Sequence, residues 1–230
     1  MAVRVDPIVW RWEVTPTGTV RRMATLSEGD ARRWTAVAAR VAAAMEPALR
    51  PEVVANRVRL GRRGWSFVPL RTALRSARSR AAAIARRRPV LLRTDVAAFY
   101  PSVDPAVAYR TLVRRSVDRS VCAAAADMLE GWGSEGYPGL PIGPPGSAVL
   151  ANALLDPVDR AVAPSPFLRW VDDYVIGLDD PSEAAAVVDR LDEALDGIGL
   201  RRSERKTCIS ASATGSTWPG GTMSALRSAP

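Results

Sequence analysis

Two adjacent pairs of aspartates are the residues in this sequence best suited to chemistry. Asp172-Asp173 and Asp179-Asp180 both lie in the stretch FLRWVDDYVIGLDD. Grouped carboxylates supply the oxygen ligands that hard divalent cations prefer, but adjacent aspartates are also ordinary in polar turns. The residues that flank each pair therefore decide between the two interpretations.

The first pair is predicted to lie at the tip of a hairpin. Two short apolar or aromatic runs, FLRWV and YVIGL, flank Asp172-Asp173. This pattern is typical of two antiparallel strands joined by a tight turn. Such a hairpin would present both carboxylates at its tip.

The second pair is predicted to have a structural role. Asp180 precedes Pro181, and apolar residues follow at helical spacing: Val187, Val188, Leu191, Leu195 and Ile198. Asp180 is therefore most simply the N-cap of a helix.

A further aspartate, Asp95, is predicted at the end of a strand. The run from Val90 to Leu92 is typical of a buried strand, and Asp95 follows it. Asp104 before Pro105 indicates an N-cap with proline in the first helical turn. A second helix is predicted over about 121–130, where the stretch GWGSEGYPG would end it.

A glycine- and proline-rich turn precedes the next predicted helix. The stretch GLPIGPPGSAVLANALLDPVDRAV indicates a turn that becomes helical at Ser147. The apolar side of this helix comprises Val149, Leu150, Ala153, Leu154 and Val158. Glycines ahead of a helix N-terminus allow the backbone to approach a phosphate or a base closely.

The first 88 residues combine short strand-like runs, a helix and a basic segment. The stretch ARRWTAVAARVAAAMEPAL predicts an amphipathic helix that Pro47 interrupts. From Asn56 to Arg88, arginines surround Trp65 and Phe67. This segment could grip a phosphate backbone and offer a stacking face, or it could be a solvated basic helix surface, and both interpretations stay open.

The composition restricts the chemistry and the environment. An excess of 32 lysine and arginine residues over 24 acidic residues gives a net charge of +8, carried almost wholly by arginine. A polyanionic partner or the codon use of a GC-rich genome would account for it. The absence of histidine excludes Ser-His-Asp and Cys-His catalysis and histidine-ligated metals. Cys122 and Cys208 are interpreted as small buried thiols in a reducing cytosol.

The order of the predicted elements favours one α+β arrangement, with helices packed on a small antiparallel sheet. The N-terminus lacks the long apolar segment of a signal peptide, and no run of about 18 apolar residues occurs. We therefore expect a soluble, cytoplasmic protein with no membrane partner.

Four stretches, in this order, resemble motifs of the reverse transcriptase family. LLRTDVAAFYPSV resembles the first palm motif, GLPIGPPGSAVLANALL the second, RWVDDYVIG the Asp-Asp hairpin, and GLRRSERKT the lysine-bearing fourth motif. Together they span about 89–210. Among such enzymes the sequence is most similar to bacterial reverse transcriptases linked to phage defence and abortive infection.

The resemblance implies a domain organisation. It predicts a fingers-like basic region over 1–88 and a polymerase palm over 89–210, built as a small antiparallel sheet with helices on one face. The remaining residues, 211–230, are rich in glycine, proline and serine and are expected to form a disordered tail. No recognisable thumb follows the fourth motif. The polymerase would therefore work with a protein partner that supplies the thumb function, act on a short or unusual substrate, or be truncated.

The resemblance also implies a two-metal mechanism. Nucleotidyl transfer needs one divalent cation to activate the attacking 3′-hydroxyl and another to neutralise the triphosphate. Asp95, Asp172, Asp173 and the backbone carbonyl of Val96 would bind two Mg²⁺ or Mn²⁺ ions. Lys206 resembles the family lysine that protonates the leaving pyrophosphate as a general acid.

The implied substrates are an RNA template, a DNA primer or product, and deoxynucleoside triphosphates. Tyr100 lies where the family places an aromatic ring against the sugar 2′ position, which would exclude ribonucleotides by clash. Gly143 and Ser147 would shape the pocket against nucleotide and template, and Asn152 would lie on the helix that follows. The glutamine common in the second motif is replaced here by Ile142, which puts strict templating in doubt.

Three other functions remain as alternatives. The first is a catalytically idle or partner-dependent nucleic-acid-binding remnant, and the second is a template-independent DNA polymerase. The third, a two-metal phosphohydrolase, would explain the carboxylates but neither Tyr100 nor the turn before Ser147.

Overall fold

A computed structural model describes residues 4–14, 18, 20–62 and 64–212. The described part alternates strands and helices in the order β1 (Val9–Val14), β2 (Val20–Thr25), α1 (Glu28–Met45), β3 (Val58–Gly61), β4 (Gly64–Phe67), α2 (Leu70–Arg87), β5 (Val90–Asp95), α3 (Pro105–Arg114), α4 (Arg119–Ser134), α5 (Pro145–Leu154), α6 (Asp156–Val162), β6 (Phe167–Trp170), β7 (Asp173–Leu178), α7 (Glu183–Asp196) and β8 (Cys208–Ala211). Three short 3₁₀ turns lie at Glu46–Ala48, Tyr100–Ser102 and Glu204–Lys206. The predicted α+β class, with helices and small antiparallel sheets in one chain, is confirmed.

A four-stranded antiparallel sheet forms the centre of the fold, with strand order β6-β7-β5-β8. The predicted strand before Asp95 is β5, and the predicted hairpin is β6–β7. Separate two-stranded sheets are formed by β1–β2 and by β3–β4.

Helices cover both faces of the central sheet, so the expectation of helices on one face was wrong. Side chains alternate along a strand, and Leu92 and Ile176 join the main core with α3, α5 and α7. Leu91 and Val175, on the opposite face, pack with Ile84 of α2. A Cβ on Gly177 would lie 2.6 Å from Ile84 Cγ2, so the glycine permits this close approach.

The N-terminal helix α1 belongs to the same core as the helices that follow β5. Its N-cap, Ser27, accepts a hydrogen bond from the Asp30 amide, and the helix ends before Pro47 as predicted. The Trp34 and Trp132 rings meet edge to face with centroids 5.1 Å apart. This packing does not test the predicted domain boundary between residues 88 and 89, which stays a prediction.

Four local predictions need correction. Helix α4 continues to Ser134, because Met128, Leu129 and Trp132 are buried one turn apart and hold the last turns in the core. Helix α5 begins at Pro145 rather than Ser147. The cap of α7 is Ser182, while the Asp180 carboxylate accepts a hydrogen bond from the Ser182 amide in the turn before the helix. Cys208 is exposed because it lies on the edge strand β8, whereas Cys122 is buried as expected.

In the described part of the chain, no helix is both long and apolar enough to span a bilayer. The predicted tail lies almost wholly outside the described residues. Of its positions, only Ala211 at the end of β8 and Ser212 are described.

Candidate active site

The three predicted metal-binding aspartates lie together at one end of the central sheet. Strands β5 and β7 pair so that Asp95 is directly opposite Asp173, and directly opposite residues share one face of the sheet. Beyond β5, the Val96 amide donates to the Asp172 carbonyl at 3.2 Å. The end of β5 and the β6–β7 turn are therefore hydrogen-bonded to each other, and the three aspartates lie together as predicted.

Burial and mutual repulsion raise the pKa values of two of these carboxyls. The pKa of Asp173 is raised to about 7, first by burial and then by the nearby charges of Asp172 and Asp95. The pKa of Asp172 is raised by burial and by Asp95. Like charges held this close favour protonation unless a cation neutralises them.

Two cationic side chains partly supply that neutralisation. Lys206 Nζ forms an ion pair with Asp95 Oδ2, and this hydrogen bond raises the pKa of Lys206. Arg21, an exposed residue of β2, opposes the rise in the pKa of both Asp172 and Asp173. The predicted general acid is thus placed at the aspartates, and Arg21 is a cationic neighbour that sequence reasoning missed.

The chemistry of this donor set fits a divalent cation. Asp95 Oδ1 is buried and has no hydrogen-bond partner among the described residues, although a buried carboxylate oxygen normally has one. All the side-chain donors are carboxylate oxygens, which Mg²⁺ and Mn²⁺ prefer. In the structure as described, however, no three acidic, cysteine or histidine side chains are already arranged as a metal-binding cluster. The carboxylates are close neighbours rather than a preformed cage, and Lys206 takes up one of their oxygens.

A fully buried arginine fixes the hairpin that carries Asp172 and Asp173. Arg169 donates to both carboxylate oxygens of Asp159, from Nε at 2.7 Å and from Nη2 at 2.8 Å. Its Nη1 donates to Asn152 Oδ1 at 3.0 Å and to the Val171 carbonyl at 2.7 Å. Tyr174 adds a hydrogen bond from its hydroxyl to Asp159 Oδ1 at 3.0 Å.

The turn between β6 and β7 is held in an unusual backbone conformation. Val171 has a φ of +59°, in the left-handed region that β-branched residues rarely adopt. Such strain persists only where surrounding contacts enforce it. The hydrogen bond from Arg169 to the Val171 carbonyl is one such contact, and it acts on the residue directly before Asp172.

Tyr100 lies beside the aspartates and against the second motif. Burial, followed by the charge of Asp172, raises the pKa of Tyr100 to about 12, so its hydroxyl stays neutral. Its ring meets that of Phe99 edge to face at 5.3 Å. The Leu140 amide donates to the Tyr100 carbonyl at 2.8 Å, and Gly139, with a φ of +75°, leaves no room there for a Cβ. The ring is therefore placed near the predicted metal ligands, while its contact with a sugar stays a prediction.

The other three predicted substrate residues make internal contacts. Gly143 has a φ of +121°, and a Cβ there would lie 3.1 Å from the Ala24 carbonyl oxygen. Ser147 Oγ is buried and accepts a hydrogen bond from Trp34 Nε1 at 3.1 Å. Asn152 is buried in the Arg169 network. In this structure Ser147 and Asn152 position other groups, and direct contact of either side chain with a substrate stays a prediction.

The stacking face expected at Trp65 and Phe67 is only partly available. These two rings contact each other at 5.2 Å and are partly buried against the main core. Trp10 and Trp12 of β1 form a more exposed aromatic pair, which sequence reasoning missed. The alternation of tryptophan and arginine in WRW was the available signal.

Comparison with known proteins identifies the family of this chain. The model of the reverse transcriptase (RNA-dependent DNA polymerase) domain matches residues 36–223, which is well over half of the chain. The chain therefore belongs to the reverse transcriptase family. A search of curated proteins found no match.

Proposed function

We propose that this protein is an RNA-directed DNA polymerase that uses two divalent cations for nucleotidyl transfer. The observation that supports this most strongly is the convergence of Asp95, Asp172 and Asp173 within a chain of the reverse transcriptase family. A module that only bound nucleic acid would gain nothing from clustered anions beside a polyanionic ligand.

The division of roles follows from the placement of the side chains. The three aspartates and the Val96 carbonyl would hold Mg²⁺ or Mn²⁺, which supplies charge neutralisation and activates the primer 3′-hydroxyl. Lys206 pairs with Asp95, so its ammonium group lies at the same site and could deliver a proton there. The side chain is partly exposed, and its long flexible stem would let the ammonium move toward the leaving group. Tyr100 would restrict the sugar pocket to deoxynucleotides.

The outer surface of α2 provides a binding surface for nucleic acid. Four exposed arginines lie on one side of this helix at positions i, i+4, i+7 and i+15: Arg71, Arg75, Arg78 and Arg86. The helix contains no acidic residue, and none of the four forms an ion pair within the described part of the chain. We call this surface the arginine stripe.

The arginine stripe has the length and position expected of a phosphate contact. Fifteen residues of helix span about 22 Å, which matches roughly six phosphates along one strand of a duplex. Helix α2 packs on the face of the sheet that carries Asp95 and Asp173. The basic segment singled out in the sequence is thus interpreted as a backbone-binding surface rather than a merely solvated face.

Several finer proposals rest on the sequence alone. We place the protein among bacterial reverse transcriptases, in the cytoplasm, with a role in antiphage defence, and with a partner protein that supplies the thumb function. The replacement of glutamine by Ile142 keeps template-independent synthesis as the alternative reaction, because one polar contact to nucleotide or template is missing.

The experiment that tests the function is incorporation of labelled deoxynucleotides with Mg²⁺ or Mn²⁺. Its arms are a DNA primer on an RNA template, the same primer on a DNA template, and no template. We expect activity on RNA that disappears in Asp172→Ala/Asp173→Ala. Activity without template would favour the alternative reaction.

The matched control is the neighbouring pair, Asp179→Ala/Asp180→Ala. Asp179 forms an ion pair with Arg88 at the end of α2, and Asp180 accepts a hydrogen bond from the Ser182 amide in the turn before α7. Both lie at the opposite end of β5 and β7 from Asp95 and Asp173. Both interactions are solvent-exposed, so this control should cost little stability and leave incorporation intact. Equal loss of incorporation in two equally folded variants would refute the proposed site, and retained nucleic-acid binding without incorporation in the parent protein would indicate an idle remnant.

A further inference from the structure

The β1–β2 hairpin exposes two neighbouring tryptophans on one of its faces. Strand pairing places Trp10 opposite Ala24 and Trp12 opposite Arg22, so these four side chains share a face. Trp10 is 43% exposed and Trp12 is 63% exposed. Their rings meet edge to face with centroids 5.6 Å apart. Neighbouring exposed aromatic rings with a polar rim are typical of binding surfaces.

The base of this hairpin is fixed to the second motif. The Ala24 amide donates to the Ile142 carbonyl at 2.7 Å, and the Tyr137 hydroxyl donates to the Arg22 carbonyl at 2.8 Å. The Arg22 guanidinium lies between two rings, 4.0 Å from the Trp10 centroid and 4.6 Å from that of Tyr137. The exposed indoles are therefore presented from an anchored base.

The charges of the hairpin favour a polyanion as the occupant. Its two strands carry Arg11, Arg21 and Arg22 against a single acidic residue, Glu13, which pairs with Arg11. Arg22 shares the face of the indoles, and Arg11 and Arg21 lie on the opposite face. Aromatic rings on a positively charged hairpin suit a single strand of nucleic acid, because the rings stack on unpaired bases while the arginine charge attracts the phosphates. A groove for an apolar protein segment would have no need of these cations.

The hairpin also lies near the aspartate site. Arg21 lies on the opposite face of the hairpin from the indoles, and its charge acts on Asp172 and Tyr100. A strand that crosses the hairpin is thus brought next to the metal-binding end of the central sheet. The hairpin precedes residue 36, where the match to the family begins.

We propose that the Trp10–Trp12 face is a stacking platform for unpaired bases of single-stranded nucleic acid. Its ligand class is defined by indole faces for bases and guanidinium groups for phosphates. We assign the bound strand to the template ahead of the aspartate site, and this assignment rests on the proposed function. The binding of single-stranded nucleic acid by the two tryptophans does not rest on it.

The test compares Trp10→Ala/Trp12→Ala with Val14→Ser/Val20→Ser. The two valines share the face of the indoles and are also exposed, so the control removes apolar area without removing rings. The probes are a labelled oligo(dT), a labelled oligo(U), and a blunt duplex of the same length. The tryptophan variant should bind both single strands about fivefold or more weakly, with duplex affinity unchanged, and the valine variant should bind like the parent protein.

Three outcomes would overturn the proposal. One is equal single-strand binding by the parent protein and the tryptophan variant. Another is an equal loss in the valine variant, which would indicate general apolar docking. The third is a self-association of the parent protein that the tryptophan variant loses while oligonucleotide binding is unchanged, which would make the face an interface between copies.

A separate measurement distinguishes this proposal from the proposed function. Incorporation is followed on a primed RNA template with a single unpaired nucleotide, where a platform for a longer single strand has nothing to hold. The tryptophan variant should act like the parent protein there and fall behind it on a long overhang. Normal incorporation by the tryptophan variant on both substrates would reject the assignment of the bound strand to the template and leave the polymerase. No incorporation by the parent protein on either substrate, with tryptophan-dependent binding intact, would reject the polymerase alone.

Discussion

Arg169 donates a hydrogen bond from Nη1 to the Val171 carbonyl at 2.7 Å. This bond links the buried Arg169–Asp159 ion pair to the residue directly before Asp172. The same guanidinium binds Asp159 of α6 with two hydrogen bonds. The position of the hairpin turn is thus set by a helix that contributes no side chain to the aspartate cluster. Arg169 is a positioning residue, because it acts through the backbone of the turn.

Removing Arg169 alone should impair folding as well as function. Arg169→Met would leave the Asp159 carboxylate buried without its partner, at a cost of about 3–5 kcal/mol. The informative variant is Arg169→Met/Asp159→Leu/Tyr174→Phe, which replaces the ion pair and its hydroxyl donor by apolar groups. Such replacements are often close to neutral for stability, so denaturant unfolding should show most of the loss recovered.

Incorporation should not recover in that triple variant, because the Val171 carbonyl still lacks its donor. The measurement is incorporation at saturating nucleotide against Mg²⁺ concentration, where a displaced Asp172 should raise the metal concentration required. A stable triple variant with the metal dependence of the parent protein would show that the network serves stability only. The Asp179→Ala/Asp180→Ala protein provides the comparison for an unrelated loss of stability.

The pKa of Asp173 predicts a characteristic pH dependence. The pKa is about 7 in the folded chain, against about 3.9 for an unperturbed aspartate. Between these values the folded state binds more protons than the unfolded state, so the free energy of unfolding should fall as pH rises from about 4 to about 7. Thermal unfolding without divalent cations over this range measures the effect, and Asp173→Asn should flatten it.

Divalent cations should reverse that trend at the upper end of the range. Mg²⁺ binds the ionised carboxylates and competes with the proton, so its stabilisation should be small at about pH 5 and grow above about pH 7. The Asp179→Ala/Asp180→Ala variant should keep this dependence. Stabilisation by Mg²⁺ that is independent of pH, or that survives in Asp173→Asn, would place the ion elsewhere.

The parts of the site that sequence predicted are those fixed by local pattern. Strand β5 and the β6–β7 hairpin follow from short apolar runs and a tight turn, and antiparallel pairing then brings Asp95 opposite Asp173. The Arg169 network was not predictable in this way, because its members lie on three separate elements. Arg169 is on strand β6, Asp159 is on helix α6, and Asn152 is on helix α5. An arginine within the apolar run FLRWV was the only local sign of a buried charge.

The errors also have a common physical cause, which is that tertiary packing outweighs local propensity. The glycines in GWGS indicated the end of a helix, yet Gly131 lies where a Cβ would come 2.6 Å from Val5 Cγ2. The glycine therefore serves close approach of the N-terminal segment rather than termination. Similarly, α2 covers the second face of the sheet because Ala77 and Ile84 are buried there, which its many arginines concealed.

The arginine stripe predicts a change in the salt dependence of binding. Each phosphate contact contributes a slope of about 0.9 to the fall of log K with log salt on duplex, and about 0.7 on single strands. Replacing the four arginines of the stripe by glutamine should therefore reduce the slope by roughly three to four on a primed RNA template. Fluorescence anisotropy over a range of KCl concentrations measures it.

The control for that prediction removes the same charge from other helices. Arg40→Gln/Arg110→Gln/Arg114→Gln/Arg119→Gln changes four exposed arginines of α1, α3 and α4. This variant should keep a slope close to that of the parent protein. Equal reduction in both variants would mean that net charge, and not the stripe, governs binding.

Tyr100 predicts the choice between deoxyribonucleotides and ribonucleotides. Its side chain lies close enough to Asp172 for that charge to raise the pKa of Tyr100, and the resemblance to the family predicts that its ring faces the sugar 2′ position. Tyr100→Ala should reduce the ratio of kcat/KM for deoxynucleotides over ribonucleotides by roughly tenfold or more, because steric rejection is lost. Tyr100→Phe keeps the ring and should retain the selectivity, which separates the ring from its neutral hydroxyl. If the ring only fills space beside Phe99, Tyr100→Ala will lower the unfolding temperature with the substrate ratio unchanged, and the assignment of Tyr100 to the sugar pocket fails.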